Sequence, residues 1–591
     1  MTLLVPWLVF PSLCVCLATG CALLLERLAR VEVSGALVLP LGVASISLVA
    51  GFATLSDATA ELAVPAVVAL AVLGLGLRTR RPRRPDGFAC ACAVAVFLVF
   101  GAPVLATGEA TFAGYVKLDD TSTFLAIVDR TLEHGRDLDG LPPSTYEATL
   151  AVNLAHGYPT GSLLPLGVGS RLVRSDPAWT FQPYLSLLAA ALALCLYELA
   201  RVAGLSRPWR AVVAAVAAQA ALLYGFAQWG GVKELFAAML LALLGAAVAV
   251  ARTGGARSAL VPAVAVASLL GGLSVGAVVW LVPAVALALF ALLQPRWRTH
   301  ALVGIAATAV LSIAALTGAA QFLRSANRTS FADGAELGNL TRALPLRQIL
   351  GIWPAGDFRG DPVDARATAA LLATCALAAA WGTVVLGRRR VGAPLVYVAA
   401  SGVGAAVVLA LASPWLGAKA LAVASPAVLF AAVLAGASIF ASGRRVEGSV
   451  VVTALAAGVL WSNVLAFGET SLAPRAQLAE LERIGERFAG EGPALMTEYQ
   501  PYGVRHFLRR LDAEGASELR RRPVPLRDGR VLGKAQYADL AAFSPAAVSM
   551  YRTLVLRRDP PVSRPSGGFV LAWRGRYYDV WQRRPYAVQT A

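Results

Sequence analysis

The sequence predicts an all-α polytopic membrane protein, with about fourteen transmembrane helices and a C-terminal extracytoplasmic α/β domain. Three observations carry that expectation. Of 591 residues, 57% are hydrophobic and 15% are charged, against about a quarter charged in soluble domains. Apolar runs of roughly 20 residues, the length that crosses a bilayer, recur along the chain. The arginines gather in the short connections between alternate runs, as the positive-inside rule requires of cytoplasmic loops.

The expected spans are 3–25, 35–54, 61–77, 88–107, 178–200, 210–227, 234–251, 258–273, 276–293, 301–320, 366–386, 391–411, 419–440 and 448–467. The first lacks a basic n-region and a small-residue cleavage site, so it reads as a retained span. The run from Ala259 to Leu293 is too long for one crossing and is divided at Gly271-Gly272. Arg78, Arg80, Arg81, Arg83 and Arg84 make the densest basic loop, which fixes that side as cytoplasmic. Alternation then places Arg27/Arg30, Arg201/Arg207/Arg210, Arg252/Arg257, Arg296/Arg298, Arg388/Arg389/Arg390 and Arg444/Arg445 on the same side. Both termini become extracytoplasmic, in the inner (plasma) membrane of a cell.

Four regions follow: a four-span segment 1–107, a large extracytoplasmic loop 108–177, a ten-span domain 178–467 with an external loop 321–365, and an extracytoplasmic domain 468–591. Within the first loop, Leu163–Val168 is apolar but too short to span, as a re-entrant or interfacial segment is. In the last region, 472–489 has helical periodicity, and 494–498 and 568–583 are rich in the aromatic and β-branched residues of strands.

The net charge of +17 does not indicate nucleic acid, because the basic residues sit in short tracts between apolar runs rather than on one face. The cysteines, Cys14, Cys16, Cys21, Cys90, Cys92, Cys195 and Cys375, all lie in apolar stretches with no CxxC spacing. That argues against extracytoplasmic disulfides and against a thiolate metal site. The four histidines are scattered, without ligand spacing.

Chemistry concentrates at the presumed outer boundary. Asp119 and Asp120 open the first large loop, where mutual repulsion between adjacent carboxylates favours a general base. The alternative is that Asp120 or Ser122 caps the helix 123–134. His156, in Ala155-His156-Gly157-Tyr158-Pro159, is either a hydroxyl-orienting group or a solvated loop histidine. Among 52 basic residues only Lys117, Lys233, Lys419 and Lys534 are lysines, and the first three stand at that boundary. Compact ammonium groups there suit a phosphate ligand, or serve as simple interfacial anchors. Glu234 either neutralises Lys233 or joins Asp119 and Asp120 in an oxygen-rich site for magnesium, manganese or calcium; no other cofactor is required. The loop 321–365 carries Arg324 and Arg328 on the outer face, against the topology bias, and then Trp353, Asp357, Phe358 and Arg359, an aromatic and charged cluster that fits either carbohydrate contact or a loop packed on the membrane surface.

With Asp119-Asp120 at the head of the first large loop, many spans and a C-terminal external domain, the chain resembles the GT-C superfamily of membrane glycosyltransferases. Its alanine- and arginine-rich composition is similar to that of actinobacterial polyprenyl-phosphate-sugar enzymes, the arabinofuranosyl- and mannosyltransferases. The resemblance has departures: the carboxylate loop follows the fourth span, where the family usually has it after the first, and the oligosaccharyltransferase-like sequence Trp-Trp-Asp-Tyr-Gly does not occur, which argues against peptide acceptors of that kind. It implies a polyprenyl-phosphate-linked sugar as donor, a cell-envelope glycan or lipid as acceptor, and inversion at the anomeric carbon. Asp119 would act as base, Lys233 and Lys419 would hold the lipid phosphate, and the tail would help bind the acceptor. Three other readings stay open: an O-antigen ligase or polymerase-like enzyme with arginine-centred loops, a lipid or glycan transporter, and an envelope-assembly protein without activity.

Overall fold

The computed structural model describes residues 3–77, 86–115, 117–325, 334–516, 518–533, 536–559, 562–565 and 567–584. Arg78, Arg80, Arg81, Arg83, Arg84, Arg328 and Lys534 lie outside the described residues. The chain divides into two compact units, one made of Met1–Leu118 and Gly157–Leu472, the other of Asp119–His156 and Ala473–Ala591.

The first unit is helical. Eleven helices among its described residues are long and apolar enough to cross a membrane, or thirteen if each of two bent pairs is one span. The bent pairs are Arg207–Ala218 with Ala221–Gln228, at 55°, and Pro295–Leu311 with Ile313–Arg324, at 61°. One of the eleven, Ala256–Leu293, is 38 residues long. Straight, it would measure about 57 Å at 1.5 Å per residue, nearly twice a ~30 Å hydrocarbon core.

Geometry shows that it is not straight. His300 Nε2 lies 3.1 Å from the Gly254 carbonyl, and Gly304 packs on Ala259. From Leu293 to His300 the chain reaches at most about 25 Å, so the segment must double back. It does so at the 3₁₀ turn Ser274–Ala277, where Ser274 takes φ +53°. The arms are Leu260–Leu273 and Val278–Leu293, and the break falls just past the expected Gly271-Gly272. Dividing the segment there accounts for the difference between thirteen spans and fourteen.

Three helices form the centre. Pro177–Val202, Val232–Ala251 and Pro414–Ala441 bury 83%, 83% and 94% of their most apolar stretch, whereas Ala365–Arg388 buries 22%. Near the N-terminus, Val5–Ala29, Gly35–Ala53 and Asp57–Gly76 meet backbone to backbone. Gly42 has no room for a Cβ against the Ala18 carbonyl, nor Gly74 against that of Gly20. Lipid is as apolar as a leucine face, so close contacts of this kind hold helices together where apolar burial gives little. The run expected to be re-entrant is a ten-residue helix, Leu164–Val173, buried along most of its length. Caps begin the last helices: Asp364 accepts from Arg366 and Ala367 N–H at 2.9 Å, and Ser413 precedes Pro414 at a helix start.

The second unit joins helices Asp120–His134 and Thr145–Asn153 to the C-terminal region. Its sheet contains β1 (Ala494–Met496), β2 (Glu514–Gly515), β3 (Thr553–Arg557), β4 (Phe569–Arg574) and β5 (Tyr578–Arg583), in the order β2-β1-β3-β5-β4. β1 runs parallel to β2 and β3, while β5 is antiparallel to β3 and β4. The expected helix 472–489 is Arg475–Arg487, and its buried Glu480 accepts from the backbone N–H groups of Arg576, Tyr577 and Tyr578 at 2.8–2.9 Å, fixing the β4–β5 turn. Leu495, Leu554, Tyr551, Val524 and Phe543 pack beneath the sheet. Thr145 ties its helix to β2, donating from N to Ala513 O and accepting from Gly515 N–H through Oγ1.

Candidate active site

In the second unit, the carboxylate pair is divided in role. Asp119 occupies the cap position of helix Asp120–His134, yet its side chain makes no cap hydrogen bond. Its backbone carbonyl does the capping instead, accepting from Ser122 N at 3.0 Å and Ser122 Oγ at 2.6 Å. The carboxylate is left for Arg505, whose Nη2 stands 2.9 Å from Asp119 Oδ2 and 2.8 Å from Glu518 Oε2. Arg505 Nη1 also donates to Ser122 Oγ and Thr123 Oγ1, at 3.3 and 3.2 Å. Asp119 keeps 39% of its side-chain exposure, against 12% for Arg505 and 3% for Glu518. Asp120 is half-buried in the first helical turn and pairs with no cation among the described residues.

Electrostatics follow from that arrangement. Desolvation, helped by the charges of Asp119 and Glu518, pushes the Tyr499 phenol up to about 12. Burial also pushes the Glu518 carboxyl above its ordinary value, outweighing the pull of Arg505. For Arg505, burial acts against the charge, but Glu518 and Asp119 more than offset it and hold the guanidinium above its ordinary value. Deeper in the unit, Asp129 meets His506 Nδ1 at 3.1 Å and Arg509 Nη2 at 2.9 Å. His156 is exposed, with Nδ1 2.7 Å from the Ala151 carbonyl.

The first unit holds most of the remaining candidates, in separate groups. Asp357 Oδ2 accepts from Lys117 Nζ at 3.2 Å and from Arg359 Nη2 at 2.7 Å. Arg359 also reaches the Asn339 carbonyl at 3.1 Å and lies over the Trp229 ring at 4.6 Å. Phe358 stacks on Phe226 with ring centres 4.8 Å apart. Burial pushes the Asp357 carboxyl up, but the hydrogen bonds and charge of Arg359, then Lys117, hold it below its ordinary value. Elsewhere in the unit, Lys419 Nζ is 3.3 Å from the buried carboxylate of Glu234 and 4.8 Å from the Trp415 ring centre. Lys233 Nζ sits over the Tyr158 ring at 4.2 Å. Glu234 therefore pairs with Lys419 on another helix. Arg324 is exposed at the end of helix Ile313–Ser325. Among the described residues, no three His, Cys, Asp or Glu side chains gather as metal ligands.

Sequence reasoning missed Arg505, Glu518 and Tyr499. Nothing in an arginine-rich tail marks one arginine among many, and the contact joins residues far apart in the chain.

No family model matches the sequence, and no curated protein matches it. Among solved structures, the arabinofuranosyltransferase AftD from Mycobacteria is similar to this chain with a TM-score of 0.53 and 15% identity, covering 85% of this chain and 40% of AftD. ArnT from Cupriavidus metallidurans, solved bound to undecaprenyl phosphate, gives a TM-score of 0.46 and 13% identity, covering 83% of this chain and 97% of ArnT. The chain thus spans less than half the length of AftD. The AftD likeness shows the fold: over most of its length this chain is built on the architecture seen in that structure.

Proposed function

We propose that the protein is a membrane glycosyltransferase that moves a sugar from a polyprenyl-phosphate donor to a hydroxyl of a cell-envelope glycan or lipid, on the extracytoplasmic face and with inversion. The observation that carries this reading is the Asp119 carboxylate. It stands at a helix start, is not used as a cap, is oriented by a guanidinium and remains partly open to solvent. A base that takes a proton from an attacking hydroxyl needs that combination of fixed direction and access. The AftD-like fold supports the reading.

In this scheme, Asp119 accepts the proton of the acceptor hydroxyl, whose oxygen bonds the anomeric carbon as the bond to the lipid phosphate breaks. The departing phosphate gathers negative charge, which fixed ammonium groups stabilise. Lys233, over the Tyr158 ring, and Lys419, beside Glu234, are the membrane unit's candidates for that role. Arg359 is engaged with Asp357 and Asn339, which leaves little support for a ligase-like reading centred on it. Against a transporter, the buried carboxylates of the spans lie near helix ends and are paired, Glu198 with Arg201 and Glu234 with Lys419.

The experiment is sugar transfer from a polyprenyl-phosphate-linked donor by the purified full chain. Asp119→Asn keeps shape and removes proton acceptance, so turnover should fall by about 10²–10⁴, the contribution of general-base catalysis. Full turnover in that variant, with the folded state intact, removes Asp119 from the chemistry.

A further inference from the structure

We propose that Arg505 is a positioning residue for Asp119, so that the C-terminal region orients the reactive carboxylate itself, beyond any contact with the acceptor. The proposal rests on the reading of Asp119 as base.

The argument starts from charge. A buried arginine needs a counter-charge, and Glu518, almost wholly buried at 2.8 Å, already supplies one. Asp119 is not needed to neutralise the guanidinium, yet the same Nη2 stands 2.9 Å from its carboxylate as an ion pair. The three side chains together keep one net negative charge, and the exposed member of the set carries it. Arg505 can thus fix the direction of the Asp119 carboxylate without cancelling its charge, as a preorganised ion pair does when it orients a reacting group.

Geometry adds a second argument. Arg505 Nη1 grips the hydroxyls of Ser122 and Thr123, the first turn of the helix that Asp119 opens. One planar fork therefore fixes both the helix start and the carboxylate preceding it. A lysine, with a single nitrogen, cannot hold both.

A group that only holds the fold would lower stability and leave turnover per folded molecule alone. A positioning residue lowers kcat and leaves the KM for the donor in place. In the full chain, Arg505→Ala and Arg505→Lys should each reduce kcat at least ten-fold with donor KM within two-fold, Arg505→Lys being the milder. Millimolar guanidinium should restore part of the rate in Arg505→Ala and none in Asp119→Asn. A folded Arg505→Lys with parental kcat overturns the proposal, as does a raised KM at constant kcat, which would make Arg505 a substrate ligand.

If Arg505→Ala does not fold, Arg505→Lys carries the kinetic test. A double-variant cycle on thermal unfolding needs no activity at all. With the pair formed, Asp119→Asn should lower Tm less in the Arg505→Lys background than in the parent, and strict additivity overturns the proposal. Should the parent transfer no sugar while that coupling is present, the reading of Asp119 as base fails and the pairing survives.

Discussion

Asp357 shows how a single side chain can hold a loop. It lies between Lys117 and Arg359 and is held below its ordinary carboxylate value. A depressed carboxyl contributes stability that is present above the unfolded value of 3.8 and lost as pH falls through the lower folded value. Asp357→Asn removes that contribution, so the parent should unfold at a higher temperature than the variant at neutral pH, and the gap should close below pH 3.8. A gap that does not change with pH would show that the ion pairs do not form. The same scale sets the limit of what residues reveal by sequence. Asp119-Asp120 stood out by position, and Lys117, Lys233 and Lys419 by rarity. Arg505 had neither mark, because its hydrogen-bond partner Ser122 is 383 residues away, and no local pattern encodes a partner at that distance.

Helices were legible because each apolar run is long enough to declare itself. Short elements were not. β2 is two residues, Glu514–Gly515, with no apolar alternation, and β3, Thr553–Arg557, is a five-residue run buried within the sheet. The stretch 568–583 reads as one strand because its turn, around Gly575, is set by Glu480 from a distant helix. Between helices Val232–Ala251 and Pro414–Ala441, the pair Glu234–Lys419 gives a sharper expectation. Lys419→Ala leaves a buried carboxylate unpaired and should destabilise the protein by about 3–5 kcal/mol, while Lys419→Ala with Glu234→Gln should recover most of that. Thermal or denaturant unfolding in detergent reads the difference, and equal losses in the two variants would refute the pairing. Lys233, over the Tyr158 ring, allows a direct test of phosphate contact. Lys233→Ala should weaken binding of a polyprenyl phosphate by about 1–3 kcal/mol, the scale of one charge-assisted hydrogen bond. Unchanged affinity removes it from that role.

At the scale of the whole chain, the composition of the second unit constrains the topology. That unit is built from Asp119–His156 and Ala473–Ala591, which must therefore lie on one side of the membrane. The chain between them has to cross an even number of times. Six straight helices, the two arms of the hairpin Leu260–Leu273 and Val278–Leu293, and the two bent pairs make ten crossings. Counting Ala256–Leu293 as one crossing leaves nine, which would place Asp119 and Arg505 on opposite sides despite their 2.9 Å contact. The turn at Ser274–Ala277 is thus required by the Gly254–His300 contact, and it satisfies parity when each bent pair is one crossing. Arginine distribution agrees, since Arg252/Arg257 and Arg296/Arg298 then flank the hairpin on one side, as cytoplasmic loops do. Reporter fusions test this directly. Fusions after Arg257, Arg298 and Arg390 should report cytoplasm, and fusions after Gly276, after Gly356 and at Ala591 should report the exterior. A cytoplasmic signal at Ala591 with an exterior signal in the loop 119–156 would break the parity, and with it the pairing of Asp119 with Arg505 on which the proposed chemistry depends.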